Sequence, residues 1–274
     1  MPLLTTSLGF SHGGNISNHE DGGFAEYALL KDGAFAKVPS TFEESAGLGC
    51  GLLTVGQGLY QSLNLPEPDK PAKESFPLLI YGGSTATGML AIQFAKLSGL
   101  TVVTTASKHN HDLVKGFGAD AVFDYNDEDC ASKIREYTKD NLHYVFDCIS
   151  QGDSIKISAE SLSSKAPESG LHYSSLLPVE DFPRGDVKSR YTLAYTALGE
   201  AFHKFGQDMP AMPENRKFAI PFWKLATDLV ASGKVRPQTV DHRKGSLEDV
   251  LKGLQEMREG KVSGKKVVYT IGSA

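Results

Sequence analysis

The stretch Leu78-Leu-Ile-Tyr-Gly-Gly-Ser-Thr-Ala-Thr-Gly-Met-Leu-Ala-Ile-Gln-Phe-Ala-Lys96, LLIYGGSTATGMLAIQFAK, changes character halfway. Leu78–Tyr81 is a short apolar run, Gly82–Gly88 is a glycine- and hydroxyl-rich turn, and Leu90, Phe94 and Leu97 then recur at helical spacing. A strand, a tight turn and a helix in immediate succession gather several backbone N–H groups at a helix N-terminus, where the partial positive charge favours a phosphate. Gly82 and Gly83 permit unusual backbone angles and close approach, Ser84, Thr85 and Thr87 add hydroxyl donors, and Gly88 lets the helix lie near the strand. Ser84 and Ala86 or Thr87 stand where a literal GxGxxG often has glycines. Alone, the turn reads either as the pyrophosphate cradle of a dinucleotide fold or as a turn with no ligand.

Outward from this stretch, short β-branched or aromatic runs alternate with amphipathic ones. Strand candidates are Leu78–Tyr81, Thr101–Thr105, Ala121–Asp124, Tyr144–Ile149 and Leu171–Leu176. Such strands separated by helices imply an α/β fold with a doubly wound parallel sheet covered on both faces. Gly118 fits a helix C-cap before the third strand. Further helices are expected over about Arg190–Phe205, Phe218–Ser232 and Leu247–Glu259, and KKVVYTI, Lys265–Ile271, is expected to close the chain as a strand. The proline-rich, charged Pro66–Pro77 reads as an exposed loop.

The end of the second strand bears on which dinucleotide binds. An NAD-selective site normally places Asp or Glu there to hold the ribose hydroxyls. Here Thr104–Asn110 reads TTASKHN, with no acid. Ser107 and Lys108 offer a hydroxyl and a positive charge at that place, which predicts NADPH; the alternative is a solvated surface lysine. Tyr125 in VFDYND either lies against the adenosine end or is structural.

Whole-chain composition excludes other classes. The 274 residues carry a formal net charge of -5, so a broad nucleic-acid-binding surface is not expected. Cys50, Cys130 and Cys148 are widely separated without CxxC spacing, which argues against a disulfide framework or structural zinc and for a reducing, cytoplasmic setting. No run of about 18 apolar residues exists to span a membrane, and MPLLTTSLGF lacks the pattern of a signal peptide.

At this point the residues carry a family resemblance. LLIYGGSTATGMLAIQFAKLSG, VVTTASKHNHDLVKGFGADAVFDYND and YVFDCIS resemble the cofactor domain of medium-chain dehydrogenase/reductases. GGFAEYALLKDGAFAKVPSTFEESAGLGCGLLTVGQGLY resembles the segment in which that superfamily leaves its small GroES-like catalytic barrel. LLTVGQGLY and GGSTATG are similar to the trans-acting enoyl reductases that serve fungal polyketide synthases, the lovastatin type. The resemblance implies NADPH-dependent reduction of the α,β-double bond of an enoyl thioester, presented on an acyl carrier domain of a polyketide synthase. It implies a barrel remnant over 1–45, a Rossmann-type domain over 46–205 and a C-terminal segment over 206–274. Implied NADPH contacts are Ser84, Thr85, Ala86, Thr87, Ser107, Lys108, His109, Asn110, Tyr125, Leu176, Leu177, Val262 and Ser263. An implied substrate channel is lined by Cys50, Gly51, Leu52, Leu53, Thr54, Val55, Gly56 and Gln57, and by Leu193, Ala194, Tyr195, Thr196 and Ala197. Relatives of this type usually carry further N-terminal residues that form most of the barrel, so the expectation is an N-terminally truncated form. A monomer or a homodimer is expected.

Zinc alcohol dehydrogenases share the superfamily, and Cys50 sits where they hold a ligand. A catalytic zinc needs three protein ligands, and His12 and His19 show no recognisable ligand spacing, so Cys50 is expected as channel wall or buried structural residue and no metal is expected. The catalytic acid is not identified by the sequence: Tyr195 and Thr196 are candidates for the proton donor, with packing as the alternative for Tyr195 and water as another source of the proton. A quinone or small-enone reductase, and an NADPH-binding protein without turnover, remain as rival readings.

Overall fold

The computed structural model describes residues 7–24, 27–31, 33–37 and 41–271; residues 1–6, 25–26, 32, 38–40 and 272–274, including parts of the quoted GGFAEYALLKDGAFAKVPS segment, lie outside it. In chain order it holds β1 (Ser7–Gly9), β2 (Phe35–Lys37), α1 (Phe42–Ala46), α2 (Gly49–Val55), a π-helix (Gly56–Ser62), β3 (Pro77–Tyr81), α3 (Ala86–Leu97), β4 (Thr101–Thr105), a 3-10 turn (Lys108–Asn110), α4 (His111–Gly116), β5 (Ala121–Phe123), α5 (Cys130–Tyr137), β6 (Tyr144–Asp147), α6 (Asp153–Ser161) and β7 (Leu171–Ser175). There follow β8 (Val187–Tyr191), a second 3-10 helix (Ala194–Leu198), β9 (Phe202–Lys204), β10 (Gln207–Met209), α7 (Pro213–Ala231), β11 (Val240–Gly245), α8 (Leu247–Arg258) and β12 (Lys266–Ile271).

The organising element is a six-stranded sheet in the order β5-β4-β3-β6-β7-β8. Every pairing in it is parallel, with Leu78 opposite Val102 on one side and Tyr144 on the other. Leu78, Leu79 and Ile80 are fully buried, as a strand covered on both faces must be. The core on one face joins α2, the π-helix, α3 and α7 through Leu52, Leu59, Phe94 and Phe222, and the other face gathers Leu79, Val103, Ile134, Val145 and Tyr173. Strand order reverses between β3 and β6, and at such a switch point the carboxyl ends of the strands leave a crevice for a ligand.

The five expected strands are present, each ending within two residues of its expected limit, and Gly118 takes a left-handed φ of 112° just past α4. Residues 64–76 contain no helix or strand. One expectation fails. In place of a helix over Arg190–Phe205 the chain completes β8, makes the short 3-10 helix and turns into β9. The reasons are local: Thr192 N–H donates to Ser175 O (3.0 Å), extending the sheet ladder, and Gly199 at φ 76° ends the helical turn. Phe205 and Gly206 then take φ 55° and 74° in the two-residue turn joining Lys204 to Gln207, a hairpin geometry. β8 itself, VKSRY, is mostly exposed and lacks an apolar run, so it gave no strand signal. It forms one edge of the sheet, and charges on an edge discourage further pairing.

Candidate functional site

The turn after β3 is tied to the end of β4. Gly82 N–H donates to Thr105 Oγ1 (3.0 Å), Gly83 N–H to Thr105 O (2.9 Å), and Thr85 Oγ1 to Gly82 O (2.8 Å). Thr85 caps α3 by accepting from Gly88 N–H (2.9 Å). That leaves the amides of Ser84, Ala86 and Thr87 without a hydrogen-bond partner among the described residues. Space is kept by glycine: a Cβ on Gly83 would lie 2.1 Å from Thr104 Oγ1, and one on Gly88 2.3 Å from Gly82 O. Free donors converging on a helix N-terminus fit a diphosphate.

At the end of β4 the sequence-expected residues meet. Ser107 Oγ and Tyr125 OH are 2.7 Å apart, and Lys108 N–H donates to Asp124 Oδ2 (3.2 Å). The Lys108 ammonium forms no ion pair among the described residues. His109 Nε2 lies 3.1 Å and Asn110 Nδ2 3.0 Å from Ser263 Oγ, which brings the loop after α8 across the 3-10 turn; Val262 precedes Ser263 there. Asp124 is held below the ordinary carboxylate range by the Asn126 backbone N–H, so it stays charged beside Lys108.

Deeper in the crevice, the fully buried Asp147 ends β6. It accepts from the N–H groups of Ile149 and Ser150 (both 2.8 Å), from Ser154 Oγ (2.7 Å) and from Tyr173 OH (2.8 Å). Burial raises the Asp147 carboxyl and these donors oppose that rise. Ser150 Oγ in turn accepts from Leu176 N–H (2.8 Å), and Ser175 Oγ donates to Leu177 O (2.8 Å), so the loop after β7 is fixed at the same rim. Cys148, next to Thr85, has its thiol pushed well up by burial.

A second corner lies against α2. Cys50 lies in the first turn of this helix, and a Cβ on the adjacent Gly51 would fall 2.6 Å from Leu90 of α3, so the corner adjoins the cradle. Leu52, Leu53 and Val55 face the hydrophobic core, as do Ala194 and Ala197, while Thr54 Oγ1 returns to Cys50 O (2.8 Å). A π-helix follows from Gly56, a rare form frequent at functional sites. Gln57 Nε2 donates to Thr196 Oγ1 (2.9 Å) and Thr196 Oγ1 to Leu193 O (2.8 Å). Tyr195 stacks on His12 with ring centroids 4.9 Å apart, touches Phe10 and Phe202, and has Lys204 Nζ 4.4 Å from its ring centre. Burial and the nearby Cys50 push the Tyr195 phenol up, whereas burial and then the Lys204 charge push His12 down. The sequence thus pointed to Tyr195 and Thr196 but not to His12 as their neighbour, nor to Lys204, nor to Asn215, whose Nδ2 donates to Thr196 Oγ1 (2.8 Å); the residues of this corner are far apart in the chain.

Among the described residues no group of three His, Cys, Asp or Glu side chains is placed to hold a metal ion. Cys50 is exposed, not buried, its sulfur lies 3.9 Å from Thr54 Oγ1, and His19 is exposed, so these residues do not fit a zinc site. No described helix is long and apolar enough to cross a membrane.

A doubly wound parallel sheet carrying an open amide cradle at its switch point is the fold class of nucleotide-dependent dehydrogenases. The chain matches the zinc-binding dehydrogenase family over residues 86–166. It is 46% identical over 265 residues to the trans-enoyl reductase ACTTS2 of Alternaria alternata, covering 96% of this chain and 75% of that protein. It is 39% identical to the trans-enoyl reductase resD of Aspergillus sclerotiorum, covering 96% of this chain and 77% of the relative. Among solved structures, the CurF ER cyclopropanase from the curacin A biosynthetic pathway superposes with a TM-score of 0.68 at 19% identity, over 89% of this chain and 67% of that one. The Pseudomonas syringae quinone oxidoreductase gives 0.67 at 21% identity over 91% and 71%, and both likenesses concern the fold. The chain belongs to the medium-chain dehydrogenase/reductase superfamily, among the fungal trans-enoyl reductases, a family of oxidoreductases.

Proposed function

We propose that the protein reduces the α,β-double bond of an enoyl thioester with NADPH, acting in the cytoplasm in trans with a fungal polyketide synthase that presents the substrate on its acyl carrier domain. The division into a catalytic-barrel segment (1–45), a cofactor domain (46–205) and a returning segment (206–274) is part of this reading. The observation that carries it is the convergence on one rim of three free cradle amides, the Ser107–Tyr125 pair and an unpaired Lys108 ammonium. NADPH, when bound, supplies the hydride. Ser84, Ala86 and Thr87 would hold the diphosphate, Lys108 and Ser107 the extra phosphate, His109, Asn110 and Ser263 the adenosine side, and Leu176 and Leu177 the nicotinamide side. The protein's own work is to orient the thioester along the α2 face and exclude water. The Tyr195 phenol, with Lys204 Nζ lying 4.4 Å from its ring centre, is the candidate donor to the α-carbon.

The test compares NADPH oxidation in the presence of an enoyl thioester and of a quinone. Turnover of the thioester and not of the quinone is expected; turnover of the quinone alone transfers the reading to a quinone reductase, and cofactor binding with neither reaction makes this a binding protein.

A further inference from the structure

β11 and β12 form a two-stranded parallel sheet, and among the described residues neither strand pairs with a third. Parallel sheets ordinarily hold more strands and lie covered on both faces. We propose that the free edge of β12, together with the apolar flank of α8 above it, is a docking face for a second copy of this chain, the two β12 strands pairing antiparallel about a two-fold axis. This face includes no residue of the cofactor or substrate sites proposed above.

The orientation of α8 fixes where that flank points. Gly253 faces the sheet, since a Cβ there would fall 2.5 Å from Tyr269 OH of β12. With about 100° of turn per residue, Asp249 and Glu256 lie about 40° and 60° to one side of Gly253. That side carries β11: a Cβ on Gly245 would fall 2.7 Å from Asp249 Oδ2, and Arg243 Nη1 donates to Glu256 Oε2 (2.7 Å). By the same rotation Met257, Leu254 and Leu247 lie about 40°, 100° and 120° to the other side, above and beyond the free edge of β12. They are 53%, 45% and 47% exposed, and Leu251, the next residue round the helix, is 65% exposed. An amphipathic helix ordinarily turns such a stripe to a core, whereas this one overhangs an unpaired strand.

A second copy fits this face in register, spacing and charge. Tyr269 faces α8, and Lys266 faces the end of α1, where a Cβ on Gly47 would meet its Cγ at 3.3 Å. Two antiparallel copies of one strand, side by side in a sheet, are related by a two-fold axis normal to it, which sets residues of the same face opposite each other. With Val268 on the axis, Val267 lies opposite Tyr269 of the second copy and Lys266 opposite its Thr270, so a β-branched residue meets an aromatic one and no like charges are opposed. Both α8 helices then lie antiparallel on one face of a four-stranded sheet. Each α8 sits over β11 and β12 together, through Arg243 and Tyr269, so the two helix axes fall two strand spacings apart, about 9.6 Å, inside the range of about 8–10 Å for packed helices. The two apolar stripes meet between them. The open edge at β8 presents Lys188 and Arg190 instead, charges that discourage such pairing.

The test follows the mass of the whole protein in solution by light scattering over a dilution series. Twice the 29.5 kDa of one chain is expected at high concentration, falling towards 29.5 kDa on dilution. Leu251→Glu and Leu254→Glu, at positions exposed in the single chain, set carboxylates against each other across the axis and are expected to weaken dimerisation about tenfold or more with circular dichroism unchanged. Val268→Cys in a Cys50→Ser background tests the register separately. Its two thiols would face each other on the axis with Cα atoms about 4.5–5.5 Å apart, within disulfide reach, so mild oxidation is expected to give a covalent dimer. Thr270→Cys, whose copy would lie about 14 Å away, is expected to give none. Should the glutamate variants fold poorly, the cross-link decides. A mass of 29.5 kDa at every concentration overturns the proposal. A dimer unaffected by both glutamate variants, or one without the Val268→Cys cross-link, also overturns it, because the copies then meet elsewhere.

Discussion

The coenzyme cradle and the α2 corner adjoin each other, yet they are built in opposite ways. The cradle is a local object: Gly82–Gly88 is one turn, and its closest partners, Thr104 and Thr105, lie on the neighbouring strand. The corner is assembled from segments scattered along the chain, with Gln57 and Thr196 hydrogen-bonded across 139 positions and Lys204 Nζ reaching Gly14 O. A local site is robust in geometry and specific only for a phosphate; a dispersed one takes its specificity from the fold. Damage to each should therefore read out differently, the cradle in cofactor binding and the corner in turnover.

The largest effect expected is at the cradle. Gly88→Val forces a Cβ to within 2.3 Å of Gly82 O and should weaken NADPH by about 100-fold, scored by calorimetry, since overpacking on this scale typically costs about 1–3 kcal/mol. The opposite pattern belongs to Tyr195→Phe. Loss of a proton donor lowers kcat by about 100-fold or more, with NADPH affinity unchanged; a loss under about threefold would return Tyr195 to a packing role. If both variants altered cofactor affinity equally, the two regions would not be separable.

The same contrast explains what could be read from the chain. The strand, turn and helix of Leu78–Lys96 announce themselves because their physics is confined to neighbouring residues, and Ser107 and Lys108 follow at once from the end of β4. Arg190–Phe205 misled because Leu193, Ala194, Ala197 and Leu198 are apolar at helical spacing, while the deciding facts are the ladder bond of Thr192 and the left-handed Gly199, which periodicity does not register. β8 was hidden by its charged edge, and β11 by its need for β12 as partner. His12 and Asn215 were illegible for a related reason: nothing near them in sequence states that one stacks on Tyr195 and the other bonds to Thr196.

Two smaller effects sharpen the boundary. Lys108→Ala should weaken NADPH by about tenfold and leave NADH unchanged, the modest size reflecting a solvent-exposed ammonium; equal losses for both coenzymes would remove Lys108 from the phosphate site. At the corner, His12 is 3% exposed and its pKa is lowered, first by burial. A histidine depressed in the folded state contributes its full stability above the unfolded value, 6.5, and loses it as pH falls towards the folded value. Melting temperature should fall as pH drops below 6.5, and His12→Asn should flatten that fall without abolishing it, as His143 and His172 are lowered too and keep part of it.

The most direct measurement is calorimetric titration of the folded protein with NADPH and, in parallel, with NADH. Saturable heat with NADPH and at least about tenfold weaker binding of NADH is expected from free cradle amides beside an unpaired Lys108. No heat with either, or a preference for NADH, would contradict it.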